Sequence, residues 1–129
     1  MRLPAGVDIH DAIWMENKAR PVMEHMLANL RRVPRIPHWP CGTFTGTAVI
    51  VGAGPSLQHN VADLHEHDWV MAVNTAVPAL MAAGRPPDAV LLRECLDLAG
   101  HLEGLPETTQ LVCDIGVHPD AFARASGWG

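Results

Sequence analysis

Four groups of residues in this 129-residue sequence carry atoms able to handle a charged ligand: Gly52, Ala53, Gly54, Pro55 and Ser56; Asn74 and Thr75; Arg93 and Glu94; and Asp114 with His118. The first group, GAGPS, follows the apolar run TAVIV and precedes a helical pattern. Glycines at a strand-to-helix turn let the backbone come close to a ligand, proline is pre-set for a first helical turn, and free N–H groups there favour an anion. A phosphate is the natural guest. Ser56 could donate to it or could simply cap the helix. The dinucleotide pattern GxGxxG fails at two places: its third glycine is Leu57 here, and Asn74 stands where an acidic residue would meet a ribose. NAD is therefore disfavoured, and the absence of GxxxxGK[ST] excludes the P-loop.

These residues need a scaffold, and the chain changes character where one could begin. In residues 8–33, apolar positions at Ile9, Ile13, Met23, Met26, Leu27 and Leu30 have helical spacing, with Pro21 predicting a kink or a second helix that carries it in its first turn. A proline-rich connector follows, so we divide the chain into an arm with connector, residues 1–46, and a sheet domain, residues 47–129. Short apolar runs at 47–51, 69–73, 89–92 and 110–113 read as strands; residues 55–67, 75–83, 94–102 and 120–125 read as helices. Alternation at this spacing implies an α/β fold with a parallel sheet of about four strands in a three-layer sandwich. Ligands of such sheets bind at the carboxyl ends of the strands, where all four groups fall.

Composition narrows the partners. The net charge is −5, and the nine Lys and Arg residues are scattered apart from Arg31, Arg32 and Arg35, which disfavours nucleic acid. No apolar run is long enough for a membrane span and no signal-peptide pattern opens the chain, so the expectation is a soluble cytoplasmic protein. Cys41, Cys95 and Cys113 read as reduced, small apolar residues. Among eight histidines, His59 and His67 share a spacing with Asp63 that would put all three on one helix face, opposite Leu57, Val61 and Leu64. That face reads as solvated rather than as a metal site. Trp14, Met15, Met23 and Met26 either pack back on the sheet or form a self-association face; the second is favoured, which makes the chain a homo-oligomer or a partner subunit.

GAGPSL followed by AVNTAVPALMAAGRPPDAVLL, residues 72–92, resembles the Rossmann-like domain of the hydroxymethylpterin pyrophosphokinases and the motility accessory factors, which are flagellin glycosyltransferase-like; its turn is also similar to that of bacterial sialyltransferases. The resemblance implies a nucleotide site at Gly52, Ala53, Gly54, Pro55, Ser56, Asn74 and Thr75, and matches Pro87 and Asp88 to a Pro-Asp pair before the third strand. It implies a nucleotide-dependent transferase using an ATP- or CMP-type nucleotide or a nucleotide sugar, with or without Mg²⁺. Such chemistry needs developing phosphate charge held while an acceptor hydroxyl attacks. Where the family has an aspartate after the third strand, this chain has Glu94, with Asp97 one turn on. Glu94 is the candidate metal ligand or base and Arg93 the candidate charge-neutralising group; a plain salt bridge between them is the alternative. The resemblance also implies a sheet continuing past the fourth strand, so the sequence reads as a truncated member. A non-catalytic nucleotide-binding or structural subunit is the alternative function.

Overall fold

The structure, a computed structural model, describes residues 9–32, 45–96 and 99–126. Four strands, β1 (Ala48–Val51), β2 (Trp69–Val73), β3 (Ala89–Leu92) and β4 (Gln110–Cys113), form a wholly parallel sheet in the order β1-β2-β3-β4, flanked by helices in an α/β Rossmann-like arrangement. All four form where β-branched and apolar residues run together, as strands of a covered parallel sheet require. The register pairs Val49 with Val70, Val51 with Ala72, Ala72 with Val90 and Leu92 with Cys113, so these side chains share one face. Consecutive strand order with right-handed crossovers brings the connections over one face, and Ala76, Val77, Leu80, Leu102 and Leu105 complete the core there. On the other face Met71, Val73, Leu91 and Val112 are half-buried and Ile50 is 78% exposed.

The helices depart from expectation more than the strands do. Residues 55–67 yield only α3 (Leu57–Asn60) and a 3-10 turn, Val61–Asp63, after which Leu64 is extended. The helix stops because Asp68 competes for the backbone: its carboxylate accepts from the His65 N–H at 2.8 Å, while the Arg85 guanidinium donates to the His65 carbonyl at 2.7 Å. The second connection forms a 3-10 turn, Asn74–Ala76, then α4 (Val77–Ala82). It ends at Gly84, whose φ of +70° allows the Gly84 and Arg85 N–H groups to close on Met81 and Leu80 carbonyls. The third holds a 3-10 turn, Ala99–Leu102, in place of the longer helix expected, and the last helix of the chain is Pro119–Ser126. The connector over 33–44, Cys41 and Asp97 lie outside the described residues.

The amino ends of the strands are tied by Asp88. Its carboxylate accepts from the Val70 N–H at 2.8 Å, its own N–H donates to the Val70 carbonyl, and its carbonyl accepts from the Gln110 N–H at 2.8 Å. Thr109, buried, donates its hydroxyl to the Pro87 carbonyl at 2.9 Å. The Pro-Asp pair is thus a clamp across three strands at the end opposite the turn.

The arm is α1 (Ile9–Trp14), a π-helical segment, Met15–Ala19, and α2 (Arg20–Leu30), which carries Pro21 in its first turn as expected. It is seated on the turn after β4. Asn29, fully buried, donates its Nδ2 to the carbonyls of Ile115 and Val117, both at 2.9 Å, and Arg32 donates to the Pro119 carbonyl at 3.1 Å. A Cβ on Gly116 would stand 2.9 Å from Val22, so glycine is what lets helix and turn approach. Among the described residues no helix is long and apolar enough to cross a membrane.

Candidate functional site

Residues 52–56 leave the end of β1, and all five are exposed. Neither Gly52 nor Gly54 has a left-handed φ; a Cβ would meet nothing within 4 Å at Gly52 and only the Ser56 Oγ, at 3.8 Å, on Gly54. The chain's own conformation and packing therefore do not demand glycine here. What a bare backbone provides is access from outside. Ser56 makes no side-chain cap bond to α3, so its hydroxyl is not spent on the helix. With four residues of α-helix in place of thirteen expected, the helix dipole contributes little, and any anion would be held by local N–H groups.

Asn74 follows β2 beside this turn, since Val51 is paired with Ala72. It is 6% exposed, yet its Nδ2 has no hydrogen-bond partner. A buried amide donor left unpaired costs about 1–3 kcal/mol. Thr75, next in the chain, is exposed. On the other side of the turn a groove of about 390 Å³ runs along β1, lined by Val49, Val51, Gly52, Ser56, Leu57 and Asp63 among others. It shares Gly52 and Ser56 with the turn.

Arg93 and Glu94 are both exposed after β3. The alternative of a mutual salt bridge is replaced by another: Glu94 Oε2 accepts from Lys18 Nζ at 3.2 Å, with both side chains about half exposed. Among the described residues there is no group of three or more His, Cys, Asp or Glu placed to hold a metal ion. Glu94 alone, already shared with Lys18, does not make a cation cage, and no chemical step is assigned to a metal here.

With this geometry in hand, comparison with known proteins is informative at the level of family. The sequence profile of the 6-hydroxymethylpterin diphosphokinase MptE-like family matches residues 24–128. The chain belongs to that family. The match to the MptE-like profile begins within α2, at Glu24, and takes in the rest of that helix and the whole sheet. No curated protein and no solved structure matches the chain.

The remaining candidates of this MptE-like chain are not brought together. Asp114 Oδ1 accepts from the Gly116 N–H at 2.7 Å, shaping the turn that receives the arm, whereas His118 Nδ1 accepts from the Asp120 N–H at 3.3 Å and its ring meets His25 edge-on at 5.2 Å. Both serve as loop caps. His67 lies beyond the end of the helix, so His59, Asp63 and His67 do not share the face their spacing suggested. Leu57, Val61 and Leu64 do pack against the core. Burial, and secondarily the charge of Asp114, raises the Cys113 thiol above its ordinary value. Lys18 and Asn29 were missed by sequence reasoning. Both lie inside a helical pattern, and nothing local marks which distant group a side chain will reach.

Proposed function

We propose that this MptE-like chain binds a nucleotide, with phosphate on the backbone of residues 52–56 and the Ser56 hydroxyl, and with the Asn74 amide donating to the base or ribose. The observation that carries this reading is Asn74, a buried amide whose Nδ2 is unpaired beside a turn whose glycines the fold itself does not need. Binding would supply the missing acceptor. The family name adds the reaction type, diphosphoryl transfer from a nucleoside triphosphate. An acceptor hydroxyl attacks the β-phosphorus, the bond from that phosphorus to the bridging α-β oxygen breaks, and nucleoside monophosphate leaves. The groove along β1 is where an acceptor can approach the phosphate turn. Arg93 is the exposed cation after β3 available to offset developing charge.

A second reading, binding without chemistry, is favoured by one observation: among the described residues Glu94 is engaged by Lys18, and Asp114 and His118 by the backbone. The two readings separate in one set of experiments. Thermal shift with ATP, GTP, CTP, CMP and a nucleotide sugar, each with and without Mg²⁺, tests binding. Release of nucleoside monophosphate in the presence of 6-hydroxymethylpterin tests transfer. Stabilisation with product formation supports the transferase; stabilisation without product under any combination leaves a binding module. No stabilisation by any of the ligands overturns both.

A further inference from the structure

The groove along β1 has two unlike walls. Val49, Ile50 and Val51, whose side chains alternate between the faces of the sheet, all line it, so it follows the edge of the strand. That edge is free, because β1 pairs only with β2, and its outward N–H and C=O groups have no strand to meet. The other wall is α3 with the 3-10 turn after it, and it is striped: Ser56, Asn60 and Asp63, spaced i, i+4, i+7, are polar, while Leu57, Val61 and Leu64, one residue on, are apolar. The polar stripe is exposed and unspent. Ser56 and Asn60 make no side-chain cap bond, and among the described residues the Asp63 carboxylate has no hydrogen-bond or ion-pair partner. Asp68, the other carboxylate lining the groove, is held by the His65 N–H. At about 390 Å³ the groove lies at the small end of ligand pockets, suited to a small flat ring system.

We infer that this groove selects the acceptor by a ring edge that carries an amino group, a ring N–H and a carbonyl in a row. Asp63 accepts from the two donors, one on each carboxylate oxygen, and the Asn60 amide, one turn earlier on the same stripe, donates to the carbonyl. Leu57, Val61 and Leu64 supply the apolar surface for the ring, and the free edge of β1 offers partners to the remaining ring nitrogens. The inference rests on the transferase reading proposed above, whose acceptor, 6-hydroxymethylpterin, has that edge at one end of its ring system and the reacting hydroxymethyl group at the other. Ser56 lies about two helical turns before Asp63, so a ring held by Asp63 directs its hydroxymethyl group toward the phosphate turn. Guanine carries the same edge and is the other source of this chemistry; the groove is assigned here to the pterin, because the phosphate turn already takes the nucleotide.

Fluorescence titration of the full chain with 6-hydroxymethylpterin, and with the analogue in which an oxygen replaces the amino group, is the test, each with and without a non-hydrolysable ATP analogue. The wild type is expected to prefer the pterin. Asp63→Asn, which presents one donor and one acceptor, is expected to bind the pterin roughly 10- to 150-fold more weakly and to reverse the preference toward the oxygen analogue. Its melting temperature without ligand and its nucleotide-induced shift are expected to match the wild type, since Asp63 is exposed and unpaired. No pterin binding in either condition overturns the inference. So does an Asp63→Asn variant that binds both ring compounds as the wild type does or loses both equally, and so does guanosine displacing the pterin at concentrations below the pterin's own Kd. A nucleotide shift that persists while the pterin fails to bind removes this inference alone; pterin binding that depends on Asp63 with no nucleotide shift upholds it and removes the phosphate turn.

Discussion

Gly54→Ala separates what the fold needs from what a ligand needs. The added Cβ would meet only the Ser56 Oγ at 3.8 Å, an ordinary contact, and Gly54 does not have a left-handed φ. Replacing such a glycine restricts the unfolded chain and leaves the native state in place, so stability should stay level or rise by about 0.4–1 kcal/mol. For the ligand the same methyl stands on the surface that phosphate must approach. Losing one hydrogen bond to a charged group costs about 1.5–3 kcal/mol, a weakening of roughly 10- to 150-fold. At a nucleotide concentration of about 100 times the wild-type Kd, the bound protein gains about 2.7 kcal/mol; a 30-fold weaker variant gains only about 0.9 kcal/mol. In a domain of this size the difference is several degrees in Tm. Differential scanning fluorimetry with and without the best nucleotide measures both terms in one plate. An unchanged ligand-induced shift in Gly54→Ala refutes the placement of phosphate on this turn, and a Tm lowered without ligand refutes the claim that the glycine is structurally dispensable.

Other expectations concern the scaffold. Asp88→Ala leaves the Val70 N–H without its carboxylate partner and should cost about 1.5–3 kcal/mol in denaturant titration, while Asp88→Asn, which keeps an acceptor oxygen, should recover most of it. Asn29→Ala removes a buried bond to Val117 and a partly buried one to Ile115 and should cost about 2 kcal/mol, with faster amide exchange in α2 and the turn after β4 but not in β1 to β3. The Cys113 thiol is raised by burial and by Asp114 from an ordinary 9.0, so the stability it contributes is whole below that value and is lost as pH rises through the folded value. Peptide-resolved alkylation should accordingly find native Cys113 slower to react than the same residue in the urea-unfolded chain at mildly alkaline pH; faster native reaction would contradict the assignment.

The strands were readable because each is a short run in which nearly every residue is apolar, and the hydrophobic pattern alone delimits such a run. The connections were not. Helical periodicity over residues 55–67 was genuine as far as Leu57, Val61 and Leu64 are concerned, since all three pack on the core; what ended the helix was the capture of the His65 N–H by Asp68 and of the His65 carbonyl by Arg85, the second a tertiary effect. The site divided the same way. The turn and Asn74 declared themselves by position after a strand, but the partner of Glu94 is 76 residues away in sequence, and no spacing rule reaches that far. Asp88 was picked out by resemblance at the right place, and the structure gives it a mechanical part, a clamp at the amino ends of the strands.

That clamp bears on how the two ends of the sheet divide their tasks. At the amino ends Asp88 and Thr109 tie β2, β3 and β4 by hydrogen bonds, so the strands cannot shift in register without breaking several at once. At the carboxyl ends the arm lies over β3 and β4, with Lys18 on Glu94 and Asn29 on the turn after β4. Among the described residues the arm makes no such bond at the ends of β1 and β2, and these carry the exposed glycine turn and the buried, unpaired amide of Asn74. An acceptor reaching a phosphate there has two approaches: the groove along the free side of β1, or the β3 side by displacing Lys18 from Glu94. The first costs no existing contact, and the second releases a carboxylate as the ion pair opens. Lys18→Ala therefore distinguishes them: nucleotide binding should be unchanged in either case, whereas faster transfer in the variant would place the acceptor on the β3 side and an unchanged rate would place it in the groove.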